Sequence, residues 1–190
     1  MSIQLPKPQL KGTISLEECI YNRESVRRYK DKEIEIKKIS QILWAAQGIK
    51  GFKRTVPSAG ATYPLEIYAT LKDKGFFHYN IEKHILELIT KENLIVKLAS
   101  ASWDQRFIAE VYMNIIICAI FSRTTQRYGE RGVRYVFIEI GHCAQNIHLE
   151  AVALGLASVP IGAYEDDRVK EVLNLPKKTE PLYIIPIGYT

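Results

Sequence analysis

One long apolar segment constrains the fold more than any other feature of this sequence. Residues 135–154 are apolar almost all round a helical projection, and Gly155 follows where a helix commonly ends. A helix with apolar side chains on nearly every face is stable only when other elements of the protein cover it. The segment therefore predicts a long helix at the centre of the core.

Shorter elements precede and follow this segment. Ser15 and Glu18 have the spacing of a capping box that opens a short helix, and Gly48 is placed to end a second one. The periodicity predicts helices at residues 15–22, 35–47, 92–102 and 166–173, and strands at residues 65–71, 76–79, 113–121 and 182–187. Residues 113–121 are apolar on both faces, as expected of a central strand. The pattern predicts an α+β fold in which helices flank a mainly antiparallel sheet.

Composition limits the size and class of the protein. With 190 residues, 47% hydrophobic residues and no internal repeat, the chain is expected to form one domain over residues 1–190, of which residues 1–12 are predicted to be a flexible arm. No apolar run approaches the roughly 18 residues that cross a bilayer, and the N-terminus lacks the apolar region of a secretion signal. We therefore expect a cytoplasmic protein that has no membrane partner.

Charge and cysteine content argue against several kinds of site. The net charge of +5 is spread along the chain without a basic run or a nucleic-acid-binding motif, which favours small anionic ligands over nucleic acid. The three cysteines are odd in number and show no paired spacing, so neither a disulfide framework nor a metal site is expected from them. The four histidines lie at unrelated spacings, which also predicts no metal centre.

A pair of arginines with a serine between them follows the first predicted helix. Arg23, Ser25 and Arg27 lie within five positions. Guanidinium groups suit phosphate oxygens because each donates two parallel hydrogen bonds and carries a full charge. The same residues would also serve as a solvated basic helix end, so this motif alone leaves both interpretations open.

Two further segments combine small residues with isolated polar side chains. Residues 57–64 form a loop of small residues closed by prolines, through which backbone groups could approach a flat ligand closely, although ordinary loops share this composition. In the long helix, Gln145 and Asn146 need hydrogen-bond partners, because an unpaired buried amide costs about 1 to 3 kcal/mol. Either a hydrogen-bonding heterocycle or a neighbouring backbone carbonyl would satisfy them.

Together and in this order, these segments resemble the nitroreductase family of FMN enzymes. The resemblance covers nearly the whole chain from Ser15 onward. It rests on an Arg-x-Ser-x-Arg motif, a Pro-Ser-x-Gly-Ala-x-Tyr-Pro loop, and Ala-Leu-Gly-Leu-x-Ser-x-Pro-Ile-Gly-Ala at residues 153–163. Residues 43–48 and 128–135 are also similar to the subgroup that contains the azoline dehydrogenases of thiazole- and oxazole-modified peptides.

The resemblance implies an FMN site at the interface of an interlocked homodimer. It implies a phosphate and ribityl site, a loop under the isoalloxazine ring contributed by the other protomer, and a turn whose backbone amide faces flavin N5. The residues implied are Arg23, Glu24, Ser25 and Arg27 for the first, Pro57, Ser58, Ala59 and Gly60 for the loop, Pro160, Ile161, Gly162 and Ala163 for the turn, and Gln145 beside the ring. Many relatives grip the phosphate with a basic C-terminal tail. Without that tail, Arg23 and Arg27 are expected to hold the phosphate, with Arg131 and Arg134 as further candidates.

The activity implied by the resemblance is a ping-pong oxidoreductase reaction. Hydride passes from NAD(P)H through flavin N5 to a small electrophilic acceptor such as a quinone or a nitroaromatic. Azoline dehydrogenases resemble one another in a Lys-Tyr pair with a proposed catalytic role, and here the candidate catalytic pair is Arg127 and Tyr128. Arg cannot act as a base near neutral pH because its pKa exceeds about 12. The general reductase is therefore preferred, with azoline dehydrogenation of a peptide and a non-catalytic FMN-binding protein as alternatives.

Overall fold

The computed structural model describes residues 2–190, and its centre is a seven-stranded sheet. The strands are β1 (Ser2–Gln4), β2 (Ile49–Lys50), β3 (Lys53–Arg54), β4 (Leu65–Leu71), β5 (Gly75–Asn80), β6 (Ile85–Thr90), β7 (Met113–Ala119), β8 (Ala157–Ser158) and β9 (Glu180–Gly188). The order in the main sheet is β1-β6-β5-β4-β7-β9-β8, and every pairing in it is antiparallel. Strands β2 and β3 form a separate short hairpin.

Helices cover both faces of the sheet. They are α1 (Leu16–Asn22), α2 (Ile36–Gln47), α3 (Ile95–Ala101), α4 (Phe107–Glu110), α5 (Ser122–Tyr128), α6 (Arg131–Ala153) and α7 (Asp166–Val172). Helices α2 and α6 pack on one face, and α3, α4 and α7 pack on the other. Within residues 2–190, no helix is both long enough and apolar enough to cross a membrane.

Strand β7 confirms the prediction of a central strand. All seven of its residues are buried, and it lies between β4 and β9. Ile115 and Ile117 face the core beneath α2 and α6, whereas Ile116 and Cys118 face the core beneath α3 and α7. Successive side chains of a strand point to opposite faces, so a strand with helices on both sides must be apolar throughout. The predicted α+β fold with a mainly antiparallel sheet is confirmed.

Helix α6 is the predicted long helix, but one chain covers only part of its surface. Val136, Ile140 and Ile147 are buried against the sheet and α2. Phe137 and Ile138 are 53% and 49% exposed. The prediction of a helix covered on nearly every face is therefore wrong for the isolated chain. The apolar pattern shows which side chains favour burial, but not which part of the protein packs against them.

The N-terminal residues are docked on the fold. Strand β1 pairs with β6 from Ser2↔Glu87 to Gln4↔Ile85, and Leu5 is buried. The Gln9 N–H group donates to Gln41 Oε1 at 2.8 Å, and Gln41 Nε2 donates to the Gln9 carbonyl at 3.0 Å. The flexible arm predicted over residues 1–12 is therefore wrong for residues 2–9, whose backbone groups find partners far away in the sequence. Met1 lies outside the described residues.

Candidate functional site

The predicted residues fall into two groups, and the first lies where the chain leaves α1 and meets β8. Ser25 forms a parallel bridge with Ser158, and the Val26 N–H group donates to the Ser158 carbonyl at 3.2 Å. This pairing brings the Arg-x-Ser-x-Arg motif beside the turn at residues 160–163. We call Arg23, Ser25, Arg27, His148 and Ser158 the arginine cluster.

A buried histidine connects the arginine cluster to α6. His148 Nε2 lies 3.3 Å from Arg23 Nη1, and His148 Nδ1 lies 2.6 Å from Ser158 Oγ. A guanidinium group only donates, so Nε2 accepts and the Nδ1–H group donates to the serine. Burial, together with the positive charge of Arg23, lowers the pKa of His148 to about 4. The imidazole is therefore neutral near pH 7 and orients Arg23 without adding charge.

The two predicted phosphate-binding arginines have no carboxylate partner. Among residues 2–190, neither Arg23 nor Arg27 forms an ion pair within 4.0 Å. Arg23 is half-buried and Arg27 is exposed. Glu24 is exposed and forms no ion pair with either guanidinium group within the described residues. Guanidinium groups that have no carboxylate partner keep their donors available for a phosphate.

The turn next to the arginine cluster presents backbone groups at the surface. Ile161 exchanges two backbone hydrogen bonds with Ile184 of β9, at 2.8 and 3.0 Å, which holds the turn on the sheet after Pro160. Gly162 and Ala163 are exposed, and within the described chain their N–H groups donate to no other residue. The backbone of this turn can therefore face a ligand, as the resemblance implies.

The second group surrounds the loop of small residues. Ser58 Oγ accepts from the Tyr63 N–H group at 2.9 Å, and Arg127 Nη1 donates to the Gly60 carbonyl at 3.1 Å. Helix α5, which the sequence pattern did not reveal, carries Arg127 and Tyr128 to this loop. We call Ser58, Gly60, Arg127, Tyr128 and Glu139 the loop cluster; Pro57 and Ala59 belong to the same loop.

Gly60 is required at the centre of the loop cluster. Its φ is +58°, and a Cβ atom there would lie 2.4 Å from the Tyr128 hydroxyl oxygen and 2.9 Å from Arg127 Nη1. A side chain at this position would therefore collide with both predicted catalytic residues. Arg127 acts as an anchor of the loop, whereas Tyr128 is half-buried with its hydroxyl group directed at the loop.

Glu139 of α6 is a member of the loop cluster that the sequence analysis did not identify. It is 2% exposed, and its Oε1 atom has no hydrogen-bond partner within residues 2–190. Burial raises its pKa to about 7, while the Ser58 hydroxyl and the charge of Arg54 act in the opposite direction. A carboxylate between two isoleucines of a helical stretch was the available signal, but the pattern does not say that this position faces inward.

Gln145 and Asn146 have different surroundings. Asn146 Nδ2 donates to the Ala45 carbonyl of α2 at 3.2 Å, so a backbone carbonyl satisfies it. Gln145 is exposed on the same side of α6 as Phe137 and Ile138. The expectation that Gln145 is buried within the chain is therefore wrong.

One chain does not bring the predicted residues together. Glu139 and His148 are nine residues apart on α6, which corresponds to about 13 Å along the helix axis at 1.5 Å per residue. Two grooves of about 520 and 400 Å³ contain none of the predicted cofactor or catalytic residues. Within residues 2–190, no group of His, Cys, Asp and Glu side chains could hold a metal ion.

Comparison with known proteins agrees with this fold. The model of the Nitroreductase family matches residues 20–189. A Methanocaldococcus jannaschii protein that bears a nitroreductase name is 43% identical, over 99% of this chain and 96% of its own length. The microcin B17-processing protein McbC of Escherichia coli is 27% identical over 67% of this chain and 50% of its own length.

A solved structure extends the agreement to the whole chain. The crystal structure of a protein from Ralstonia eutropha, also named as a nitroreductase, superposes with a TM-score of 0.90 and 25% identity. It covers all of this chain, and this chain covers 89% of it. The family model, the 43% identical relative and this superposition show that the chain belongs to the nitroreductase family of oxidoreductases.

Proposed function

We propose that the protein is an FMN-dependent oxidoreductase that works as an interlocked homodimer and passes hydride from NAD(P)H to a small electrophilic acceptor such as a quinone or a nitroaromatic. The observation that carries this proposal is that Glu139 and His148, the α6 members of the two clusters, are nine residues or 2.5 turns apart and therefore project from opposite sides of the helix, about 13 Å apart along its axis. A flat ring with a phosphate tail needs both clusters. A second chain would supply the cluster that the first lacks at each site.

An exposed apolar surface supports a second chain. Besides Phe137 and Ile138 on α6, Ile20 and Tyr21 on the neighbouring α1 are 56% and 89% exposed. Soluble proteins rarely leave large apolar side chains grouped at the surface without a partner. Helix α6, which contributes one residue to each cluster, therefore also carries a surface that favours association.

The side chains and backbone groups of both clusters fit FMN. The guanidinium groups of Arg23 and Arg27 would hold the phosphate, and the N–H groups of Gly162 and Ala163 would donate to the ring. The loop at Ser58 and Gly60 would lie against the ring face. When bound, FMN supplies the hydride chemistry, and the protein supplies binding, orientation and electrostatics.

The first experiment asks whether the protein holds FMN. The purified protein should show the absorption spectrum of an oxidised flavin and release FMN, not FAD, on denaturation. It should oxidise NADH or NADPH when a quinone or a nitroaromatic is added. A colourless protein that takes up no added FMN contradicts the proposal, and flavin uptake without NAD(P)H oxidation favours the non-catalytic alternative.

A mixing experiment tests the shared site directly. Arg27→Ala removes a phosphate contact from one cluster, and Gly60→Val obstructs the other. Each variant dimer has two defective sites, but a mixed dimer has one site with both defects and one with neither. Mixing should therefore restore tight FMN binding that neither variant shows alone. If each site is built from one chain, mixing restores nothing.

Azoline dehydrogenation is the second candidate, and two observations favour it. The Tyr128 hydroxyl lies against Gly60 of the loop cluster, and the chain resembles a microcin B17-processing protein. A peptide that carries a thiazoline ring should then be oxidised with oxygen as the final electron acceptor. Failure to oxidise such a peptide, together with rapid quinone reduction, would exclude this candidate.

A further inference from the structure

Helix α5 holds the loop at residues 57–64 through two arginine side chains. Arg123 Nη1 donates to the Tyr63 carbonyl at 3.1 Å. Arg127 Nη1 donates to the Gly60 carbonyl, also at 3.1 Å. The two arginines are four residues apart and therefore lie on the same face of the helix. Both carbonyl groups belong to the loop that the proposed function places against the flavin ring.

The backbone of this loop has an unfavourable conformation. The φ angles are +58° at Gly60, +54° at Ala61 and +45° at Tyr63. Glycine adopts this left-handed conformation freely, whereas at other residues the Cβ atom crowds the following carbonyl oxygen. Ala61 and Tyr63 therefore strain the loop, and a strained backbone persists only where surrounding contacts fix it. The hydrogen bond from Arg123 to the Tyr63 carbonyl is one such contact.

The guanidinium group of Arg123 is itself held by the central sheet. Its Nη2 atom lies 2.6 Å from Oε1 of Glu66 on β4, and the other oxygen, Oε2, accepts from His78 Nε2 on β5 at 2.6 Å. Burial opposes the ionisation of Glu66, but the contacts with His78 and Arg123 outweigh it and lower the pKa of this carboxyl group. Glu66 therefore stays ionised near neutral pH, with a partner at each oxygen. Arg123 thus connects the sheet to the strained loop.

These side chains lie outside the proposed flavin site. Arg123, Glu66 and His78 all line the groove of about 400 Å³, which contains none of the residues that the proposed function assigns to FMN. They are therefore placed to act on the loop, and only through the loop on the ring. The oxidoreductase reaction described above gives them no role of their own.

We infer that Arg123 is a positioning residue, which Glu66 and His78 hold in place and which keeps the strained loop at residues 57–64 in the shape that the flavin ring requires. This inference rests on the proposed function, which assigns the loop to the ring. A ligand binds more weakly when the competent shape of its site is only partly populated. Loss of the Arg123 contact should therefore lower the affinity for the ring.

Riboflavin is the right probe for the ring, because it has no phosphate. Arg123→Ala should weaken riboflavin binding by about three- to tenfold, the effect of one hydrogen bond. Arg127 and Thr124 still hold the loop in this variant, so the protein should remain folded. Lys170→Ala, which removes an ion pair between α7 and β9, is the control and should bind riboflavin as the parent does.

A comparison of riboflavin with FMN shows whether Arg123 acts through the loop. The phosphate contacts assigned to Arg23 and Arg27 are unchanged in Arg123→Ala, so FMN binding should weaken by the same factor as riboflavin binding. A larger loss for FMN than for riboflavin would mean that Arg123 holds the phosphate, and it would overturn the inference.

A second substitution distinguishes loop strain from general damage. Ala61→Gly removes the strain at φ +54°, because glycine adopts this conformation freely. If Arg123 holds a strained loop, Ala61→Gly should improve riboflavin affinity several-fold more in the Arg123→Ala protein than in the parent. Equal effects in both proteins would contradict the inference.

Hydrogen exchange measures the loop without a ligand. The Ala61 N–H group donates to the Ser58 carbonyl at 3.1 Å, and the Thr62 N–H group donates to the Ala59 carbonyl at 3.2 Å. Exchange of these two amides therefore reports opening of the loop. In the flavin-free protein, Arg123→Ala should accelerate their exchange by about three- to tenfold, and the control variant should not.

Unchanged amide exchange in Arg123→Ala overturns the inference, and so does faster exchange with the riboflavin affinity of the parent. If the parent protein binds no flavin, the proposed function fails instead. The exchange measurement then still decides whether Arg123 holds the loop.

Discussion

Helix α6 contributes one titratable residue to the arginine cluster and one to the loop cluster, and the two residues respond to protons in opposite ways. In the arginine cluster, burial beside a guanidinium group lowers the pKa of His148 to about 4. In the loop cluster, burial raises the pKa of Glu139 to about 7. Both shifts favour the neutral form, because a low-dielectric environment disfavours charge. One cluster should therefore be stabilised by higher pH and the other by lower pH.

The comparison also separates two ways of holding a ligand. The arginine cluster relies on fixed charges, which backbone pairing to β8 and a neutral histidine keep in position. The loop cluster relies on a close fit, because Gly60 leaves just enough room for Tyr128 and Arg127. The guanidinium groups of the arginine cluster keep their charge near neutral pH, whereas the loop cluster contains a carboxyl group, Glu139, whose ionisation changes there.

The largest expected effect concerns His148 and acid stability. Its pKa in the folded protein lies below the ordinary 6.5, so its stabilising contribution is present above pH 6.5 and is lost as the pH falls towards about 4. The loss should reach up to about 3 kcal/mol in the free energy of unfolding. In His148→Gln, denaturant unfolding should show an acid-side decline smaller by this amount.

The control for this prediction is His142→Gln, an exposed histidine of the same helix. That variant should lose stability in acid as the parent does. An acid-side decline in His148→Gln that equals that of the parent would show that the His148 contact with Arg23 does not depend on a neutral ring.

The second effect has the opposite sign and concerns Glu139. Its pKa in the folded protein lies above the ordinary 4.5, so its contribution is fully present below pH 4.5 and is lost as the pH rises through about 7. Glu139→Gln should therefore raise the free energy of unfolding at pH 8 by about 2 to 3 kcal/mol and change it little at pH 4. Equal stabilisation at both pH values would indicate better packing rather than removal of a buried charge.

The third effect tests the fixed charges of the arginine cluster. Arg27→Ala should weaken FMN binding by about 1.5 to 3 kcal/mol, or roughly ten- to a hundredfold, because a charged hydrogen bond is lost. Riboflavin, measured by the same fluorescence titration, should be affected much less. Arg28→Ala, a change at the neighbouring exposed arginine, is the control. If FMN and riboflavin weaken equally, Arg27 acts through the fold and not through the phosphate.

The smallest effect concerns Tyr128. If the protein is a general reductase, Tyr128→Phe should leave NAD(P)H-driven quinone reduction within a few-fold of the parent, because the reaction needs no base from the protein. Tyr135→Phe is the control, since the two rings pack edge to face at 5.1 Å. Azoline oxidation would instead lose about 10² to 10⁴ in rate, the usual contribution of a positioned base. A large loss of quinone reduction with FMN fully bound would contradict the reductase proposal.

Sequence patterns predicted two kinds of element. Some are stabilised by hydrogen bonds between neighbouring residues, and others are apolar because they are buried. The capping box at Ser15 and Glu18 forms as expected, with both reciprocal hydrogen bonds present. Strand β7 and helix α6 were recognised because their apolar periodicity is unambiguous over many residues. The motifs of both clusters were singled out only through the family resemblance, because ordinary loops and helix ends share the composition of each.

Features that depend on distant partners were decided only by the tertiary structure. Strands β1 and β6 were missed because each is stabilised by its partner and not by a strong pattern of its own. Gly48 does end α2, but at φ −61° and not in the left-handed conformation; it is required because a Cβ atom would lie 2.1 Å from the Trp44 ring. The division of the site into two clusters and the burial of Glu139 depend on how α6 packs against α2 and α5. Hydrophobic periodicity shows that a helix has a buried side, whereas the neighbours of each buried side chain are known only when the whole chain is packed.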